Sequence, residues 1–262
     1  MTPDQVNEAA RVLLDARREN KTIDAIPEAC RPRTVDEGYA VQDALVALSG
    51  ARVVGWKLGS TTPYWQKRAG LTEPMAGRLL DTMVHRGSTT LPGAHFHLRM
   101  VECEYAFELG KDLPPRAEPY SREEVEDAVG AVHGCIEVAD TRYAKGLIMD
   151  TPSLIADNVI AGAYIVGPEI RGWREVDLTN MPVRVWVAGK QINEGKGENT
   201  GGHPILPLVW LANDRRKRGD GLKAGMIVST SSTTGAYRSP PAAEITADYG
   251  DFGTVQVTFT AD

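Results

Sequence analysis

Met100-Val101-Glu102-Cys103-Glu104-Tyr105-Ala106-Phe107 alternates in character with a period of two. In a strand, successive side chains point to opposite faces, so Cys103, Tyr105 and Phe107 go to one side and Glu102 and Glu104 to the other. The apolar set marks the core side. Two carboxylates on one strand face are either a solvated surface or half of a site, and this strand alone does not choose between them. A second stretch, Gly134-Cys135-Ile136-Glu137-Val138-Ala139, sets one carboxylate in an otherwise apolar strand. An unpaired buried carboxylate is costly, so Glu137 needs a cation or a partner. Three glutamates converging on one point would repel unless they bound a metal. Ligation by oxygen alone suits Mg²⁺, Mn²⁺ or Ca²⁺ rather than zinc. Glu108 shares the face of Glu102 and Glu104 but lies further along, and it reads as solvated.

Working outward, residues 53–59 read as a strand, and further short strands are expected near 101–108, 134–140, 162–167, 183–188, 226–231 and 254–260. Gly189-Lys190 marks a hairpin turn. Helices intervene from Ser121 onward, near 152–160, and after His203-Pro204. Strands dominate the later half without alternating regularly with helices, which predicts an α+β fold with a mostly β core rather than a doubly wound parallel sheet. The first fifty residues differ. Thr2-Pro3-Asp4-Gln5 and Thr34-Val35-Asp36-Glu37 are capping-box patterns, each followed by apolar residues at helical spacing, and Ser49-Gly50 stops the second helix. The expectation is one domain over 1–262, with a helical portion at 1–50 and a β-rich catalytic core at 51–262. The polar, glycine-rich run from Gly195 to Gly202 reads as a loop over a site.

Composition excludes several classes. At 262 residues, with 42% hydrophobic and 24% charged residues, the chain can bury one large core. A net charge of -6 argues against a nucleic-acid surface, which needs clustered Lys and Arg. The basic run Arg215-Arg216-Lys217-Arg218 closes a predicted helix, where cations suit the dipole. No basic segment followed by an apolar stretch opens the chain, and no apolar run approaches the ~20 residues of a membrane span. Cys30, Cys103 and Cys135 lack metal-type spacing and suit a reducing cytoplasm.

The Glu-x-Glu strand followed by an apolar strand bearing Glu resembles the metal site of the fumarylacetoacetate-hydrolase superfamily. The resemblance is closest to its branch of 2-keto-4-pentenoate hydratases and 4-oxalocrotonate decarboxylases. Gly38-Tyr39-Ala40-Val41-Gln42 is similar to the branch's N-terminal helix, and Val53-Val54-Gly55-Trp56-Lys57-Leu58-Gly59 to its lysine strand. Ile136–Arg142, Ala156-Asp157-Asn158, and Gly202-His203-Pro204 with Trp210-Leu211-Ala212-Asn213 extend the likeness along the chain. The resemblance implies a mixed β roll or barrel, and Glu102, Glu104 and Glu137 as ligands of Mg²⁺ or Mn²⁺. The metal would chelate the substrate's carboxylate and 2-oxo oxygen.

The resemblance also makes Lys57 a site lysine that moves protons, and burial would lower its pKa. On side-chain habit alone Lys57 could equally snorkel to the surface. Thr233 matches a hydroxyl that contacts the substrate's carboxylate end, although it could be an ordinary turn residue. Arg142 and His203 are weaker substrate-binding candidates. Arg142 could instead pair with Asp140 or Asp157, and His203 could simply begin a helix. One position departs from the branch. Hydratases carry an acid followed by Tyr where this chain has Met75 and Ala76, whereas the decarboxylases have an apolar residue at the acid's position.

The implied function is hydration of a 2-hydroxy-2,4-dienoate, or its 2-oxo-3-enoate tautomer, to a 4-hydroxy-2-oxo acid. Decarboxylation of a 4-oxalocrotonate-like diacid is the alternative that Met75 favours. A non-catalytic metal-binding subunit is the alternative from another class. The resemblance further implies a homo-oligomer and leaves room for a complex with a pathway partner.

Overall fold

A computed structural model describes residues 1–261. Helix α1 (Pro3–Arg18) opens on Thr2, and the expected reciprocal capping bonds with Gln5 both form. Helix α2 (Val35–Ser49) opens on Thr34 and stops at Gly50, whose φ of 70° suits glycine. The Thr34 half of the second capping box forms. The Glu37 carboxylate turns instead to the N-terminal ammonium at 2.7 Å and the Arg33 amide at 2.8 Å, because a full positive charge is the stronger partner. Ala9, Ala10 and Leu13 of α1 and Val41 and Leu45 of α2 share an apolar cluster with Ile26, Leu80 and Tyr143.

Strands then take over: β1 (Val53–Gly59), β2 (Met75–Leu80), β3 (Val84–Arg86), β4 (Thr89–Leu91) and β5 (Met100–Leu109), with helix α3 (Pro63–Ala69) after β1. Helix α4 (Arg122–Ala128) leads into β6 (Val129–Ala139), and α5 (Thr151–Ala156) precedes β7 (Ala161–Glu169). Strands β8 (Pro182–Val187) and β9 (Lys190–Lys196) form a hairpin before helix α6 (Leu206–Arg218). Strands β10 (Ile227–Ser232), β11 (Tyr237–Arg238), β12 (Glu244–Asp248) and β13 (Thr254–Phe259) complete the chain.

Among the described residues the strands form two sheets. One runs β2-β1-β10-β5-β6-β7-β3, with β11 also on β5; the other runs β4-β13-β12-β8-β9. Parallel pairs (β1–β10, β3–β7, β4–β13) mix with antiparallel ones, and the central β10–β5 and β5–β6 pairs are antiparallel. The expected α+β class with a mostly β core is what forms. The first sheet curls into a half-barrel. Tyr105, Phe107 and Ile136 from it pack in one core with Val185, Ile245 and Val257 from the second. Each such fully buried side chain contributes roughly 1.5–3 kcal/mol.

Some elements differ from the sequence reading. Strand β2 was not expected, because Met75-Ala76-Gly77-Arg78-Leu79-Leu80 is covered on both faces and shows no alternation. Gly195 and Lys196 belong to β9, so the glycine-rich run is extended at its start and becomes a short 3-10 turn at Gly197–Thr200. Strand β9 lies at a sheet edge and is largely exposed, so it carries no apolar period. The hairpin turn falls one residue earlier than expected, on Ala188 and Gly189, with φ of 48° and 75°. The basic run does close α6, but Arg215 is buried, paired with Asp214 and stacked 4.5 Å from the Trp56 ring. The three cysteines are free and buried. Among the described residues no helix is long and apolar enough to cross a membrane.

Candidate active site

Antiparallel pairing sets Glu102 of β5 directly opposite Glu137 of β6, with Glu104 two residues along on the same face. Each of the three offers a carboxylate oxygen, and these oxygens lie within 4.8 Å of one another. Glu104 and Glu137 are buried, and Glu102 is half-buried against a cavity of about 640 Å³. Burial and then the charge of Glu137 push Glu102 up to about 7, against the pull of Lys57. Glu104 is held well above the carboxylate range by burial, Glu137 and Glu102. Burial also raises Glu137, with Lys57 opposing it.

Glu104 Oε1 and Glu137 Oε2 have no hydrogen-bond partner among the described residues. Buried acceptors left this way are costly unless a cation satisfies them. With all three ionised, the carboxylates and one ammonium would leave a surplus of two negative charges, which one dication would neutralise. An all-oxygen set fits Mg²⁺, Mn²⁺ or Ca²⁺.

Lys57 comes from β1, three strand spacings from β6, with β10 and β5 between them. In a flat sheet β1 and β6 would stand about 14 Å apart. The curl brings Lys57 Nζ to 2.9 Å from Glu137 Oε1, and the ammonium also donates to the Val159 carbonyl at 3.1 Å. Lys57 is therefore a buried, doubly engaged group and not a snorkelling one. Its expected pKa shift is reversed. Burial alone would lower it, but Glu137, Glu102 and Glu104 together outweigh burial and raise it. Lys57 thus carries its proton at neutral pH.

The carbonyl that receives Lys57 sits in an unusual turn. Asn158, Val159 and Ile160 have φ of 54°, 51° and 55°, a region that β-branched residues seldom enter. The Asn158 amide fixes the turn by accepting from Arg78 N at 2.7 Å and donating to Arg78 O at 2.8 Å. A side chain on Gly77 would meet the Asn158 carbonyl at 2.4 Å, so glycine permits this close approach. Asp157, fully buried, accepts from Thr141 Oγ1 and the Arg142 amide, each at 2.7 Å, and from Arg17 at 2.8 Å. The Ala156-Asp157-Asn158 run is thus a brace behind the lysine.

Behind the glutamates stands a buried polar cluster that residue types did not single out. Ser229 donates to Glu104 Oε2. Tyr249 donates to the Glu104 carbonyl at 2.7 Å, and Cys135 Sγ donates to the same oxygen at 3.1 Å. These bonds fix the strand and side chain of Glu104.

The substrate-binding candidates lie elsewhere. Thr233 is fully buried and its hydroxyl donates to the Cys103 carbonyl at 2.8 Å, while Ser231, Ser232 and Thr234 line the cavity. Arg142 is buried against Asp140, and His203 accepts from the Ile205 amide at 3.2 Å just before α6; neither lines the cavity. Glu108 is not simply solvated, since Arg86 pairs with it at 2.9 Å. Met75 does line the cavity. Asn193 and Asn199 bring the β9 segment to its wall and donate to the carbonyls of Thr234 and Thr233 at 2.5 and 2.7 Å.

No protein-family model matches the chain. It is 31% identical over 268 residues to the 2-keto-4-pentenoate hydratase of Paraburkholderia xenovorans (strain LB400), covering 100% of this chain and 97% of that one. The solved structure of 4-oxalocrotonate decarboxylase from Pseudomonas putida G7, complexed with magnesium and adipate, superposes with a TM-score of 0.91. That match is 26% identical and covers 99% of this chain and 98% of the other. A fumarylacetoacetate hydrolase from Exiguobacterium antarcticum shares the fold, with a TM-score of 0.59 at 13% identity over 81% of this chain and 76% of that one.

Proposed function

The chain belongs to the 2-keto-4-pentenoate hydratase and 4-oxalocrotonate decarboxylase branch of the fumarylacetoacetate-hydrolase superfamily, and from that premise we propose that it is a metal-dependent hydratase. It would add water to a 2-hydroxy-2,4-dienoate, through the 2-oxo-3-enoate tautomer, to give a 4-hydroxy-2-oxo acid. The observation that carries this reading is the contact between Lys57 and Glu137 at the head of a cavity where three carboxylates converge. Glu102, Glu104 and Glu137 would hold Mg²⁺ or Mn²⁺. A dication there, when bound, supplies electrophilic stabilisation of negative charge on the substrate's 2-oxo oxygen. Lys57, kept protonated by its carboxylate neighbours, donates a proton to substrate carbon or oxygen. Ser229 and Tyr249 hold Glu104 in place, and the Val159 carbonyl aims the ammonium. The hydroxyls of Ser231, Ser232 and Thr234 are the candidates to orient the substrate, in place of Thr233.

A second reading, decarboxylation of a 4-oxalocrotonate-like diacid, is favoured by Met75, which brings no titratable group to the cavity wall. There Lys57 would protonate the carbon that retains the electrons after CO₂ leaves. A non-catalytic metal-binding subunit would not need Lys57 and the carboxylates positioned together. The catalytic unit is taken as the whole chain, cytoplasmic and homo-oligomeric; light scattering on the purified protein tests the last point. The deciding experiment is NMR product analysis after incubation with Mg²⁺ and 2-hydroxypenta-2,4-dienoate or 2-hydroxymuconate. A 4-hydroxy-2-oxo acid is expected. Release of CO₂ from 2-hydroxymuconate without hydration would replace the first reading by the second, and no turnover of either compound would sink both.

A further inference from the structure

We infer that Arg68, at the outer end of the cavity, recognises a carboxylate at the far end of the substrate, so that the preferred substrate is a dioate. This rests on the reading of Lys57 and the glutamates as the inner, reacting end. Lys57 and Arg68 are the cations lining the cavity among the described residues. Lys57 is already committed to Glu137 and the Val159 carbonyl. Arg68, in the last turn of α3, has no ion-pair partner among the described residues; its guanidinium lies 5.9 Å from the Trp65 ring centroid. Glu194, which shares the cavity wall, is taken by Arg184 at 2.7 Å.

The rest of the wall is largely apolar, with Trp65 in the helix of Arg68 and Met75, Leu147 and Leu154 from other elements. The cavity thus combines a buried charged site at Lys57, an apolar wall and an exposed guanidinium without an ion-pair partner among the described residues. A monoacid would lay an apolar tail beside Arg68 and return nothing for the water it displaces. A dioate gives Arg68 a planar, two-oxygen partner that matches its fork. At about 640 Å³ the cavity does not restrict the substrate to five carbons. Arg68 is exposed, so water and salt screen the bond and its effect is moderate.

The test is calorimetric binding of adipate and hexanoate to the Mg²⁺-loaded protein, wild type, Arg68→Gln and Arg68→Lys. Wild type should bind adipate about tenfold more tightly than hexanoate, the size of one charge-assisted bond at a partly exposed site. Arg68→Gln should abolish the preference and Arg68→Lys restore part of it. In turnover, the ratio of kcat/KM for 2-hydroxymuconate to that for 2-hydroxypenta-2,4-dienoate should fall by a similar factor in Arg68→Gln. Absence of any adipate preference in wild type, or its survival in Arg68→Gln, overturns the assignment. If the binding preference behaves as expected while neither dienoate is consumed, the assignment to Arg68 stands and the lyase reading fails, so the two are separable.

Discussion

The two ends of the cavity are built by opposite rules. At the inner end the reactive groups stand on adjacent or curled-together strands and are held by fixed contacts, Lys57 by Glu137 and Val159 and Glu104 by Ser229, with the remaining carboxylate oxygens left for a cation. At the outer end a short helix and the segment after β6 present large apolar side chains to water, Trp65 at 55% and Leu147 at 46% exposure. Fixed geometry suits chemistry, which loses rate steeply with misplacement. A loosely packed rim suits substrate choice, because it can be rebuilt without disturbing the sheet. Changes at the inner end should therefore lower turnover for every substrate, whereas changes towards the rim should alter the ratio between substrates or products.

The largest effect is expected from Glu102→Gln. Glu102 is the ligand candidate nearest the open cavity, and its loss leaves the Lys57–Glu137 pair intact. Removing even an outer partner of a metal ligand typically costs about 10–100-fold, so loss of a ligand should exceed 100-fold in both metal affinity and turnover. Mn²⁺ titration followed by electron paramagnetic resonance gives the first, and a dienoate assay the second. Tight Mn²⁺ binding by the variant would break the assignment of the three glutamates as one site.

Lys57→Ala comes next. Removal of a general acid should lower turnover by about 10²–10⁴-fold, with Mn²⁺ binding largely retained. Wild-type turnover in this variant would mean that the lysine only neutralises Glu137. Ser229→Ala tests the support behind the inner end. Glu104 loses its side-chain donor, and metal affinity should weaken by about 10–100-fold while adipate-to-hexanoate preference stays unchanged. A change in that preference at constant metal affinity would contradict the division between the two ends.

How much of this could be read from the chain follows the same division. The period of two in Glu102–Phe107 and the lone carboxylate in the strand of Glu137 are local signals, and both survive in the fold. Lys57 was legible through resemblance, since its contact with Glu137 depends on a curl that no local pattern encodes. Ser229 was missed in favour of Thr233 because β10 is irregular. Its pairing with β5 shifts between Ser229 and Ser232, and Ser231 has a φ of 80°. One extra residue exchanges the faces of every hydroxyl after it, so the run Ser229–Thr234 announced a polar segment without saying which oxygen meets the site. The left-handed turn at 158–160 was hidden for the opposite reason, since Val159 and Ile160 are residues that argue against it. The brace from Asn158 to Arg78 overrides that preference.

Met75→Asp carries the smallest expected effect, and it tests the border between the two ends. Met75 is half-buried on the cavity wall and pairs with Gly59, two residues along β2 from Gly77, the partner of Lys57. Two residues of strand are about 7 Å, so a carboxylate at position 75 would reach the ammonium directly or through one water. Such an acid could hold and orient the water that hydration requires, a step in which a thioether cannot take part. Loss of CO₂ needs no such water, so the two reactions should respond differently. Burial would raise the new carboxyl's pKa while the positive charge of Lys57 lowers it, which leaves part of it ionised at neutral pH. A grafted acid without supporting hydrogen bonds falls short of an evolved one, so the partition between hydrated product and CO₂ from 2-hydroxymuconate should move towards hydration by only about three- to tenfold. Both products are followed in parallel for wild type and variant. An unchanged partition, in a variant that still binds Mn²⁺, would make position 75 a packing site and return the hydration step to the groups at the inner end.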